Sequence, residues 1–224
     1  MTAAEFVAAE HGNEPAKQWT DIAATPLRFV HPSRIAACLD EIVTLKAAGQ
    51  LATSPRIAKR LERLVVDHYG LPAFPMEMTA DKSDLRLMLM SQDELAEFAR
   101  SAGAVYWAHV LSGEIRASAV ATLKAIVGET AFALALTHRD LAGNEPRPDD
   151  AETLRTLVRD DGDACLASWH ASMPPALQAW LQLKLPEDRS FIPPASAEKR
   201  EKCFAIARRL AQSDDTAEIA GGRQ

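Results

Sequence analysis

The chain has 224 residues with 25 Lys and Arg against 31 Asp and Glu, a formal net charge of -6, so an extended phosphate backbone would meet mostly like charge, which argues against nucleic-acid binding. Apolar residues make up 47% and aromatics 6%, with Ala dominant and Val and Ile modest, so the predicted class is all-α: a single compact multi-helix domain large enough to bury a real core. Cys38, Cys165 and Cys203 are odd in number, far apart and free of any CxxC, which points away from a disulfide framework or a zinc knuckle and toward reduced thiols in a cytosol. The start MTAAEFVAAEHG lacks the basic and then apolar pattern of a secretory signal. No apolar run approaches the ~20 residues a membrane helix needs. The expectation is a soluble cytoplasmic protein with no direct membrane insertion.

Residues 1–25 are Ala-rich, polar and interrupted by His11-Gly12-Asn13-Glu14-Pro15, and read as a flexible N-terminal arm. The helical domain is expected over 26–212. After Leu27-Arg28-Phe29-Val30, His31 and Pro32 suit the start of a helix that Ile35, Cys38, Leu39 and Ile42 would dock. Ser54-Pro55 repeats the start signal, with Ile57, Leu61, Leu64, Val65 and His68 on one face and Gly70 closing the helix. LPAFPMEMTADKS has too many breakers for an element.

Ser91-Gln92-Asp93-Glu94 has the form of a capping box and opens the strongest helical stretch. From it Leu95, Phe98, Ala99, Ala102, Val105, Tyr106 and Val110 recur at three-and-four spacing up to Ser112-Gly113. A second helix carries Ile115, Ala119, Leu123 and Val127 to Gly128, and a third, AFALALTHRDLAG, is apolar nearly all round, as a helix surrounded by others would be. Asp149-Asp150 open a further helix through Leu154 and Val158, which Gly162 is expected to kink or break before Cys165, Leu166, Trp169 and Met173. Pro174-Pro175 starts a short helix with Leu177, Trp180 and Leu181, and the tryptophans belong in the core. Ser196 caps the last helix through Leu210, and 213–224 reads as a disordered acidic tail.

No catalytic constellation emerges, and no cofactor or metal is indicated. His138-Arg139-Asp140 spells the kinase catalytic-loop tripeptide but lacks its downstream Asn, its DFG and its Gly-rich loop, so it reads as a helix end. Ser196-Ala197-Glu198-Lys199 matches SxxK at a helix start, where capping is the simpler role. The six histidines include no HExxH and no pair three or four apart. Asp67 and His68 would point apart on a helix. One anomaly stands out on an acidic protein: Arg56, Lys59, Arg60 and Arg63 form a basic stripe at i, i+3, i+4 and i+7 with only Glu62 nearby. It is either a solvated face or a docking face for an acidic partner.

Taken together, several stretches carry a resemblance. They are Leu27-Arg28-Phe29 with His31-Pro32; the LxLxL lead-in from Asp84; the helix with a central Ala102-Gly103; Ile126-Val127-Gly128-Glu129; the Ala-Leu-rich third helix; and SWHASMPPALQAWLQLKLP. In order and spacing, from Leu27 to Leu210, they resemble the SctK family of type III secretion systems, which includes the YscK, PscK and NolU proteins. The resemblance implies a non-enzymatic adaptor of the cytoplasmic sorting platform, peripheral to the inner membrane at the base of the injectisome. There it would join the cytoplasmic domain of the ring protein SctD to the pod protein SctQ, and so to SctL and the SctN ATPase. The rival readings are a small helical enzyme with a site assembled across helices and a helical chaperone for an exported protein. The N-terminal arm and the tail depart from the family pattern.

Overall fold

The structure, a computed structural model, describes residues 17, 19, 20, 23–75 and 81–221, with side chains through Gln212. Eleven α-helices have described bounds: α1 (Pro32–Cys38), α2 (Leu45–Ala52), α3 (Ala58–Tyr69), α4 (Lys82–Leu89), α5 (Gln92–Tyr106), α6 (Ala108–Ser112), α7 (Ala117–Val127), α8 (Glu129–Thr137), α9 (Ala151–Ser172), α10 (Pro175–Gln182) and α11 (Ala197–Gly221). Short 3-10 helices span Pro26–Phe29 and Arg139–Leu141, and there is no strand among the described residues, so the fold is all-α. No single described helix is long and apolar enough to cross a membrane. The helices gather into two compact units, one of residues up to 89 with 173–190, the other of 90–172 with residues from 191 on.

In the first unit, α1, α2 and α3 pack on one another, and their buried faces enclose Leu27, Ile35, Ala48, Leu61, Val65, Trp180 and Leu183. His31 starts α1 as expected, its Nδ1 accepting the Ser33 N–H at 3.1 Å, with Pro32 in the first turn. The helix ends sooner than its pattern implied. Asp40 and Glu41 take φ of 51° and 56°, which swings the chain so that Ile42, expected in the core, is 84% exposed. Thr44 then caps α2, a helix the apolar spacing had not separated.

Ser54 is not the cap of α3. Its carbonyl accepts from the Ile57 and Ala58 amides, and the helix starts four residues later at Ala58. Leu61 and Val65 are buried, whereas Leu64 and His68 of the expected face are exposed. Gly70 closes the helix in the left-handed conformation, φ 61°. α4 begins inside the segment expected to be loop, where Asp81 accepts the Ser83 N–H.

An aromatic group fills the rest of this unit. Phe74 stacks on Trp19 at 5.2 Å and meets Phe29 and Trp180 edge-on, while the Trp180 Nε1–H donates to the Pro72 carbonyl at 2.9 Å. The core therefore begins before residue 26, where the helical domain was expected to start. Trp19 and Ala23, assigned to the arm, are 3% and 7% exposed. Residues 1–16 lie outside the described ones.

In the second unit the capping box forms in both directions, with the Ser91 Oγ accepting the Glu94 N–H and the Glu94 carboxylate accepting the Ser91 N–H. The chain breaks at Trp107 into α5 and α6. α7 ends at Gly128, φ 94°, and buries Leu123 and Val127, but Ile115, expected on the same face, precedes the helix and is 92% exposed. α8 is not surrounded: Phe132 and Ala135 are buried, while Ala133 and Leu136 face solvent.

Asp150 caps α9 by accepting the Thr153 N–H at 2.8 Å. The helix then runs 22 residues without interruption through Gly162. That glycine does not break the helix; it allows two helices to touch. A Cβ on Gly162 would overlap the Ala99 carbonyl of α5, and one on Gly103 would overlap the Val158 carbonyl of α9. α9 also packs on α11. Ser196 caps α11 through the Lys199 N–H, and the helix continues to Gly221, past Ser213 where a disordered tail was expected. Residues 222–224 lie outside the described ones.

Candidate interaction surface

The basic stripe lies in the first unit. Arg56 sits in the turn before α3, and Lys59, Arg60 and Arg63 sit on its first two turns. At about 100° per residue Lys59, Arg60 and Arg63 fall opposite Leu61 and Val65, the pair that anchors the helix in its core. All four are exposed. Their charges are thus presented outward by the same periodicity that buries the apolar face. Continuing by one helical step from Arg63 reaches Asp67, also exposed, so the stripe ends on a carboxylate that the sequence reading left out.

The other sequence candidates do not assemble. His138 is buried at the end of α8, while Arg139 and Asp140 are exposed on the following 3-10 turn. The Ser196 Oγ accepts the Lys199 backbone N–H at 3.3 Å, but the Lys199 ammonium pairs with Asp161 Oδ1 at 2.6 Å. The lysine is committed to a carboxylate rather than to activating the hydroxyl. Asp67 and His68 are both exposed, and the His68 ring contacts Tyr69 edge-on. Among the described residues no three His, Cys, Asp or Glu side chains gather as a metal site.

Two polar networks were not read from the sequence. In the first unit Arg34, 7% exposed, donates from Nε to the Leu185 carbonyl at 3.1 Å and from Nη2 to the Pro186 and Arg189 carbonyls at 3.0 and 2.9 Å. Its Nη1 pairs with Glu187 at 3.1 Å. Tyr69 donates its hydroxyl within reach of both Glu187 and the Arg34 carbonyl. Burial, with the Glu187 hydrogen bond added, raises the Tyr69 phenol well above its ordinary value.

The second network is centred on Asp161, 5% exposed on α9. It accepts the Trp107 Nε1–H at 2.8 Å on one oxygen and Lys199 on the other. Lys199 also lies over the Tyr106 ring. Burial works to lower its pKa, but the hydrogen bond and charge of Asp161 outweigh it and the net direction is upward. Tyr106 donates its hydroxyl to Glu145, and burial and that bond raise the phenol. Burial would raise Glu145, yet the Tyr106 hydroxyl and neighbouring backbone donors hold it below the usual carboxylate range. Cys165, fully enclosed beside Cys203, is pushed well up by burial, which leaves it a poor nucleophile. Most of the polar groups named here hold helices and connections together, although Glu145 Oε2 is buried without a hydrogen-bond partner.

The geometry among the described residues is thus that of a helical scaffold that presents the basic stripe of α3 outward. No protein-family model matches the chain, and no curated protein or solved structure matches it.

Proposed function

We propose that the chain is a non-enzymatic adaptor of the type III secretion sorting platform, seated in the cytoplasm at the base of the injectisome. It joins the cytoplasmic domain of SctD to SctQ, and through SctQ to SctL and SctN. The observation that carries this reading is the order of the SctK-like stretches between Leu27 and Leu210. Supporting it, these stretches hold positions on which an all-α scaffold depends: Leu27 at 1% exposure, the His31 cap, Gly103 at the helix crossing and Trp180 at 1% exposure. Arg56, Lys59, Arg60 and Arg63 are the docking face for an acidic surface on SctD or SctQ, where complementary charge sets register and association rate.

Co-purification tests the adaptor role: the chain should capture SctD and SctQ homologues from its own host. A tightly held cofactor or metal in place of those partners would support a helical enzyme instead, and capture of an exported protein alone would support a chaperone. Reversing the four basic residues to Glu tests the surface. Stability should change by only about half a kcal/mol per site, while the association rate falls and loses its salt dependence. Unchanged binding kinetics at low salt would reduce the stripe to a solvated face.

A further inference from the structure

The three cysteines are free thiols, and two of them meet. On α9 Asp161 and Cys165 are four residues apart, and on α11 Lys199 and Cys203 are four residues apart. The Asp161–Lys199 ion pair at 2.6 Å fixes the register of these two packed helices, so one further turn along both sets Cys165 against Cys203. The two thiols lie within hydrogen-bonding reach of one another, and both residues are 0% exposed. Cys38, in the first unit, contacts Tyr69 instead.

A buried cysteine usually serves as a small apolar side chain, but a facing pair on two helices has a second chemistry open to it. A disulfide needs sulfur atoms that approach closely from backbones already near each other, and thiols in contact across a packed interface supply that approach. In the closed fold the pair is quiet, because burial keeps the Cys165 thiol protonated and shuts oxidants out. The route to it is short. The Lys199 side chain is 32% exposed, and Cys203 lies one turn further along α11, a rise of only about 6 Å. Opening the first two turns of α11, the kind of local unfolding that element ends undergo, brings Cys203 to water.

We propose that Cys165 and Cys203 are a dithiol that hydrogen peroxide oxidises to a disulfide, fastening α11 to α9. While α11 is open, the Cys203 thiolate attacks the peroxide O–O bond, keeping one oxygen as a sulfenic acid and releasing the other as water. On reclosure the Cys165 sulfur, giving up its proton, attacks the sulfenic sulfur and a second water leaves. Two thiols thus lose two electrons, and one peroxide becomes two waters. The reduced chain holds its last helix by packing and by the Lys199–Asp161 pair; the oxidised chain adds a covalent bond. This site is independent of the adaptor role and of the basic stripe. The full chain, reduced and then exposed to a small excess of hydrogen peroxide, tests it by digestion without reductant and mass spectrometry. The digest should link the Cys165 and Cys203 peptides within one chain and leave Cys38 unlinked. The melting temperature should rise by roughly 5–15 °C, because the cross-link constrains the unfolded chain, and dithiothreitol should reverse both changes. Cys38→Ala should keep the response and Cys203→Ala should lose it; if Cys203→Ala does not fold, the wild-type digest decides the matter by itself. Peroxide that leaves Cys165 and Cys203 as thiols, even in urea just below the unfolding transition, overturns the proposal. So does their conversion to sulfinic acids without a link, a link through Cys38, or a linked chain that melts no higher than the reduced one.

Discussion

Arg34 holds the connection after α10 against α1 with three backbone carbonyls and one carboxylate. Replacing it by Met would take the guanidinium from the Leu185 and Pro186 carbonyls, while Gln182 still reaches the Arg189 carbonyl and Tyr69 still reaches Glu187, and stability should fall by about 3–5 kcal/mol in urea denaturation. Arg34→Lys should recover only a small part, since one ammonium cannot span the fork that reaches all four oxygens. A loss under about 1 kcal/mol would mean that water serves those carbonyls equally well. The two tyrosines make a second test at this scale. Both phenols are raised by burial and by donating to a glutamate, so neither should ionise near the ordinary pH of about 10. A group whose folded pKa is raised contributes stability that is present below its unfolded value and is lost as pH climbs toward the folded one. Ultraviolet titration should therefore show tyrosinate appearing late and together with loss of helix, at both sites. Tyrosinate rising near pH 10 with the helix intact would show those hydroxyls to be hydrated. Neither network was legible beforehand. Arg34 and the Leu185 carbonyl are 151 positions apart, and no local spacing rule pairs residues at such a distance.

Some helix ends were legible, but the end of α1, the start of α3 and the end of α11 were not. His31, Ser91, Asp150, Gly70 and Ser196 act at the termini where cap chemistry placed them, because a cap is satisfied by atoms within three residues. Gly162 was misjudged because a glycine inside a helix is locally a weakness, and its use depends on a different helix. Ile42 and Ile115 were misjudged in a related way: the apolar period was carried past Asp40-Glu41 and ahead of Ala117, where the backbone is no longer helical. The crossing of α5 and α9 gives this scale its prediction. Gly103→Ala and Gly162→Ala each set a methyl into a carbonyl of the other helix, so each should destabilise by about 1–3 kcal/mol. The double variant should cost less than the sum, since a single shift of the helices relieves both overlaps. Additive costs would show the two contacts to be separate.

Over the whole molecule, the class and the burial of Trp169 and Trp180 were readable from composition and period, with both tryptophans 1% exposed. The use of Trp19 was not, because its stacking partner Phe74 lies in a breaker-rich segment with no period to read. Removing residues 1–24 deletes Trp19 and Ala23 from a core, so the shortened chain should stay helical but melt lower. Trp19→Ala in the intact chain should reproduce most of that loss, about 3–5 kcal/mol. If neither change moves the melting temperature, the aromatic group of Phe29, Phe74 and Trp180 closes without it.

The path of the chain between its two units has a consequence for how the protein is made. The polypeptide leaves the first unit at residue 89, returns to it at 173, and leaves again at 190 to finish the second. A ribosome delivering this chain from its N-terminus releases α1 to α4 long before α10 can bring Trp180 to Phe74, and releases α5 to α9 before α11 can cover its side of α9. Neither unit corresponds to a contiguous fragment that could be cut out and expressed. A nascent chain halted near residue 172 would present two unfinished apolar surfaces at once; the first is completed once the chain through residue 190 has cleared the ribosome, the second only after α11 has followed.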